Sequence, residues 1–138
     1  MRPYYWLAGV LFLLVLFACS RAKEAPYVLR PEQLEQLKAF GANDHFAPAA
    51  WRKRGLQPPP KPVRAQMQGV VNGAVDQLLR EREQLTAARI RMIMSAQLAR
   101  VGIFDLNPQE KEFLAQVLRE LSRILQVDVD AVVRDDPY

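Results

Sequence analysis

Few side chains in this sequence are of a kind that does chemistry, and they stand far apart. There is one cysteine, Cys19, in the stretch LVLFACSRAK, and one histidine, His45, in NDHF. A lone thiol cannot close an intramolecular disulfide, and the pattern supplies no Cys–His or Ser–His pair for nucleophilic catalysis. His45 has Asp44 beside it but no second metal ligand at helical or loop spacing, so it reads as a solvated loop histidine. Asp128 and Asp130 begin like a calcium loop, yet Val132 and Val133 stand where the next ligand and the glycine belong. Glu110 and Glu112 fall in the first turn of an expected helix, where the helix dipole accounts for them. There is no glycine-rich phosphate loop and no internal repeat. These residues point away from an enzyme, a resident metal and a cofactor.

Cys19 therefore needs another explanation, and its surroundings offer one. The chain begins MRPYYW with a cation at Arg2, continues with the apolar run Leu7 to Ala18, and turns polar at once with Ser20, Arg21, Lys23 and Glu24. A positive start, a short apolar core and a small residue at the cut make the layout of a secretory signal. As a helix the core would span only about 18 Å, short of the roughly 30 Å of a bilayer interior, which disfavours a membrane-spanning segment.

Leu16, Phe17, Ala18 and Cys19 resemble the lipobox of bacterial lipoproteins: an aliphatic residue, two mostly small residues and the cysteine read by a dedicated signal peptidase. Phe17 is bulkier than that family's usual residue. The resemblance implies diacylglycerol on the Cys19 thiol, cleavage after Ala18, and a further acyl chain such as palmitate on the new amino group. Two or three chains, at about 0.8 kcal/mol per buried methylene, make attachment effectively permanent. In such lipoproteins a residue other than Asp after the cysteine permits transfer to the outer membrane, and here it is Ser20. The localisation implied is the outer membrane, facing the periplasm.

Removal of the first 18 of 138 residues leaves a net charge of +3, too mild for nucleic-acid binding. The distribution is more telling. Residues 20–65 hold nine cations and four acids, residues 66–138 nine cations and eleven acids. Seven of the ten prolines lie between Pro26 and Pro62, and none occurs from Val63 to Asn107. Proline blocks helix interiors, so the expected division is a signal at 1–18, a Pro-rich basic tether at 19–62 and a helical domain at 63–138. Within the tether, LRPEQLEQLKAFG predicts one short helix near 31–40, with Leu34 and Leu37 on one face and Gly41 as its stop. Pro58, Pro59, Pro60 and Pro62 suit an extended spacer that lifts the domain from the lipid. Pro59, Pro62 and Arg64 also match a proline-rich ligand for aromatic grooves. No acid occurs between Asp44 and Asp76, so Arg52, Lys53, Arg54, Lys61 and Arg64 form an unopposed cationic strip with Trp51 at its edge. Beside an anchor, such a strip suits anionic headgroups or cell-wall carboxylates.

From Gln66 to Val101 an apolar residue recurs every seventh position, at Val71, Leu78, Leu85, Met92 and Ala99, which predicts one long amphipathic helix, regular from about Ala74. Gly69 and Gly73 suggest close packing or fraying at its start. A second helix opens at Asn107, with Pro108 at its first position and Glu110 completing a capping box, and carries Phe113, Leu114, Val117, Leu118, Leu121, Ile124 and Leu125 on one face. The turn at VGIFDLN makes the pair antiparallel, and a short further turn is expected at Ala131 to Val133. The fold class is all-α, a helical hairpin or small bundle. Two helices cannot cover both stripes, so the helix around Leu34 and Leu37 folds back as a third wall, or the domain dimerises, or a partner covers the remainder. The function expected is a lipid-anchored, non-catalytic adaptor or assembly factor of the cell envelope, bound to an envelope protein or to a second copy. It is similar in form to the pilotins, small helical lipoproteins that escort secretion pores. A structural lipoprotein linking membrane to cell wall, and a periplasmic stress sensor or chaperone, are the alternatives.

Overall fold

The computed structural model describes residues 24–101 and 105–128. Cys19, the signal and the expected turn at Ala131 to Val133 lie outside them. Among the described residues there are five helices and no strand: α1 (Pro31–Ala42), α2 (Pro48–Lys53), α3 (Lys61–Arg80), α4 (Ala87–Val101) and α5 (Pro108–Leu125). The all-α small bundle is as expected, and no described helix is long and apolar enough to cross a membrane.

The long helix expected from Gln66 to Val101 is instead two antiparallel helices. The chain turns at Glu81 to Gln84, and α3 packs more extensively against α4 than any other pair of described helices does. Nothing in REREQ is a helix breaker, so the reason is tertiary. A single helix of that length would extend about 54 Å and leave half its stripe without a neighbour. At the turn, several backbone groups that leave the helical ladder find replacements. The Leu85 carbonyl accepts from the Tyr27 N–H at 2.7 Å, and the Thr86 hydroxyl caps α4 by accepting from the Arg89 N–H at 3.0 Å. The Glu24 carboxylate accepts from the Ala88 N–H at 3.1 Å, placing a negative charge at the positive end of α4. Arg89 grips Glu81 with two hydrogen bonds of 2.9 and 3.0 Å, closing the turn.

The interruption resets the helical phase. Val71, Leu78 and Leu85 are core, but Met92 is 60% exposed and Ala99 lies outside too. Ile90, Ile93, Met94 and Leu98 face inward in their place. α3 itself begins at Lys61, well before Ala74. Of its two glycines, Gly69 has open space where a Cβ would be, whereas a Cβ on Gly73 would stand 2.7 Å from Gln97 Oε1. Close packing against α4 is therefore a property of Gly73 alone.

The helix α5 follows the sequence closely. Asn107 Oδ1 accepts from the Glu110 N–H at 2.9 Å, and the Asn107 N–H donates back to Glu110 at 3.4 Å, the expected capping box. Phe113, Leu114, Val117, Leu118, Leu121 and Leu125 are buried and Ile124 is half-buried.

The boundary at Val63 does not exist as a domain boundary. Leu37, Phe46 and Trp51 are completely or almost completely buried in the same core as Met67, Leu78 and Leu118. The helix near 31–40 packs on both α3 and α5, so the third wall is how the stripes are covered. Its inner face carries Gln33 and Leu37, with Leu34 only half-buried. Gly41 is not its stop; the helix runs on to Ala42, and a Cβ at Gly41 would meet Val75 Cγ1 at 2.9 Å. Residues 56–60 are no stand-off from lipid: they link α2 to α3 inside the bundle, and Pro62 lies in the first turn of α3.

Two ends can now be defined. The base gathers Glu24 to Arg30, the Glu81–Thr86 turn and the C-terminal end of α5, where the Tyr27 hydroxyl donates to the Leu125 carbonyl. The crown holds α2, residues 56–60 and the N-terminal ends of α3 and α5. With 20 residues, α3 spans roughly 30 Å from crown to base.

A fragment of residues 63–138 should lack a cooperative thermal transition by circular dichroism, whereas residues 24–138 should melt in one step. Leu37, Phe46 and Trp51 each contribute about 1.5–3 kcal/mol of burial, against a total stability for small domains of about 5–15 kcal/mol. Gly69→Ala should raise the melting temperature, by the equivalent of about 0.5–1 kcal/mol of helix propensity, and Gly41→Ala should lower it because the stiff Val75 side chain must yield. The hydrogen bonds from Arg89 hold the Glu81 carboxyl below its ordinary pKa. A depressed carboxyl stabilises the fold above its unfolded pKa, and that contribution is lost as pH falls through the folded one. The melting-temperature difference between the parent and Glu81→Gln should accordingly shrink on acidification, and a constant difference would remove the ion pair from this account.

Candidate docking groove

After α1 the chain makes a tight polar turn. Asp44 Oδ1 accepts from the Phe46 N–H at 3.3 Å, and the His45 N–H donates to Gln68 Oε1 at 2.9 Å. Gln68 in turn donates to the Asn43 carbonyl at 3.1 Å and to Asn72 Oδ1 at 2.9 Å, tying the turn to α3. His45 is not solvated; it is 9% exposed. Its Nε2 lies 2.7 Å from the Phe40 carbonyl, which can only accept, so Nε2 carries the hydrogen and Nδ1 faces the Asn43 amide at 3.5 Å. Both ring nitrogens have partners, and no cluster of three or more potential metal ligands occurs among the described residues.

The turn feeds an aromatic cluster. The His45 ring packs on Phe40 with centroids 4.1 Å apart. Phe46 and Trp51 approach the Phe113 ring edge-on at 5.0 and 4.7 Å, a favourable arrangement for ring quadrupoles. The Trp51 indole N–H donates to the Phe46 carbonyl at 3.2 Å. Trp51 is thus core and not the edge of a surface strip. Gly55, at φ 73°, ends the α2 turn with a conformation that side chains rarely adopt. Arg54, just before it, lays its guanidinium 3.9 Å over the Phe113 ring and donates to Gln116 Oε1.

Between these parts and α5 lies an open groove of about 710 Å³. Asp44, His45, Ala47, Ala49, Ala50, Lys53 and Arg54 line it from the turn and the α2 region, and Phe113, Val117 and Glu120 line it from α5. The lining offers apolar, cationic and acidic groups side by side.

Of the five cations read as a strip, Arg52, Lys53, Arg54 and Lys61 are exposed, and none of the five pairs with an acid among the described residues. Arg64 is half-buried and its Nε donates to the Pro59 carbonyl at 3.1 Å, so it serves the bundle instead. The strip does not lie beside the point where the chain arrives from Cys19. Lys61 stands at the top of α3, roughly 30 Å from the base, and Arg54 sits against Phe113 and Gln116, at least about 14 Å above the base end of α5. Sequence reasoning missed the groove because Phe113 reads simply as a helix-stripe residue; its partners Arg54, Trp51 and Phe46 are 59 to 67 positions away in the chain.

The model of one protein family, described as Domain of unknown function (DUF4844), matches residues 29–130. The match begins just before α1 and runs past the end of α5, so it takes in the residues that the sequence assigned to a tether. No curated protein and no solved structure matches the chain. With well over half of its length matched, the chain belongs to the family Domain of unknown function (DUF4844).

Proposed function

We propose that this protein is a lipid-anchored, non-catalytic helical adaptor of the bacterial cell envelope, held to its membrane at Cys19 and offering the groove side of its crown to a partner protein. The observation that carries this reading is the polarity of the bundle. Glu24, only five residues after Cys19, is bound to the start of α4 at the base. Five residues reach at most about 18 Å. A lipid on Cys19 therefore keeps the base close to the surface with no flexible stalk between. An upright bundle then carries Arg54 about 14 Å, and Lys61 roughly 30 Å, beyond its base. Attraction to headgroups falls off within a Debye length of about 8–10 Å, so these cations suit something other than the anchoring leaflet.

Closure of the core also moves the expected interaction surface. Among the described residues Val28 and Met92 are the large apolar side chains that stand exposed, so no stripe is left for a second copy to cover. The groove offers a partner a concave surface with both apolar and charged groups.

Cys19→Ser should abolish incorporation of labelled fatty acid and leave the precursor uncleaved, as judged by its mobility in gel electrophoresis. Labelling of that variant at the parent level would end the anchored-adaptor reading.

A further inference from the structure

We propose that the groove between α2 and α5 accepts a partner-protein segment bearing a carboxylate beside a small apolar side chain, with the carboxylate held by Arg54 and Lys53. This deepens the adaptor reading by naming the partner's chemistry, and it rests on that reading for a protein as the occupant.

Arg54 is the centre of the argument. Its guanidinium is already ordered, lying 3.9 Å over the Phe113 ring and hydrogen-bonded to Gln116. One N–H is spent on Gln116, and the others remain for an incoming oxygen pair, the geometry at which arginine binds carboxylates in a fork. An arginine fixed in advance gives up less conformational freedom on binding than a free one. Lys53 lines the same groove, and no ion pair among the described residues engages it or Arg54.

Two acids share the lining. Asp44 Oδ1 accepts from the Phe46 N–H, which holds that carboxylate in the turn before α2. Glu120 lies two turns, or about 10 Å, along α5 from Phe113, which sets it apart from the Arg54 guanidinium over that ring. Ala47, Ala49 and Ala50 present small apolar side chains to the groove. A segment that places a Glu or Asp at Arg54 and a Val or Ala on these alanines satisfies both surfaces.

The test uses the full chain in detergent with Trp6→Phe, which leaves Trp51, in contact with Phe113, as the single tryptophan. The probes are two acetylated and amidated hexapeptides, one alternating Glu with Val and one alternating Lys with Val, and vesicles of anionic phospholipid. Trp51 fluorescence should respond to the Glu–Val peptide with an affinity at least tenfold higher than to the Lys–Val peptide, and the difference should narrow as salt is raised. Arg54→Gln should weaken the Glu–Val peptide tenfold or more. Should Arg54→Gln lower the melting temperature, Lys53→Gln carries the test, with an expected loss of threefold or more, because Lys53 makes no ion pair that the fold uses. Equal affinity for the two peptides, no response to either, or indifference to both substitutions would overturn the proposal. A stronger response to the vesicles would assign the groove to a lipid surface instead. Fatty-acid labelling at Cys19 is read separately, so loss of the docking site and loss of the anchor are distinguishable.

Discussion

The C-terminal end of α5 is the point on which the rest of the bundle depends. The last carbonyls of a helix have no partner within it, and two of them here are satisfied from the other end of the chain. The Gln33 amide donates to the Ile124 carbonyl at 3.0 Å and to the Tyr27 hydroxyl at 3.0 Å, and that hydroxyl donates to the Leu125 carbonyl. Gln33 Oε1 meanwhile accepts from the Arg30 N–H at 2.9 Å, so this amide, only 3% exposed, has donors and acceptor all engaged. A buried polar group so completely satisfied specifies one arrangement, because any shift of α1 along α5 would leave amide and carbonyls unpaired in a dry interior. This clasp sets the register of α1, and through Gly41 and Val75 the distance of α1 from α3.

The same clasp decides how the molecule presents itself. Tyr27 also donates its backbone N–H to the turn between α3 and α4, and Glu24 sits on the first turn of α4. Residues 24–30 are therefore part of the base. The described residues that read as the end of a tether and a separate domain fold as one bundle. The later part of the supposed tether became the crown, where Phe46, Trp51 and Phe113 interlock and Arg54 lies over the ring of Phe113. One set of packing contacts thus stabilises the fold and positions Arg54 at the groove.

What the sequence by itself determined is local. The capping box at Asn107 and Glu110, the prolines at the helix starts, the apolar face of α5 and the short helix after Arg30 are all legible, because each depends on residues three or four positions apart. The run without acids from His45 to Val75 is of the same kind. The tertiary structure alone decided where the ladder between Gln66 and Val101 breaks, since neither glycine nor proline marks the turn and its lost bonds are replaced by Tyr27 and Glu24, about 60 positions away. That break inverted the roles of Met92 and Ile93 by resetting the helical phase. It also took tertiary structure to bury His45 and Trp51, to retire Arg64 from the cationic strip, and to set that strip in the upper half of the bundle, away from the end nearest Cys19. Proline density and charge report where a chain is not helical. They do not report whether it is packed, because burial is settled by the apolar faces of distant helices that need cover.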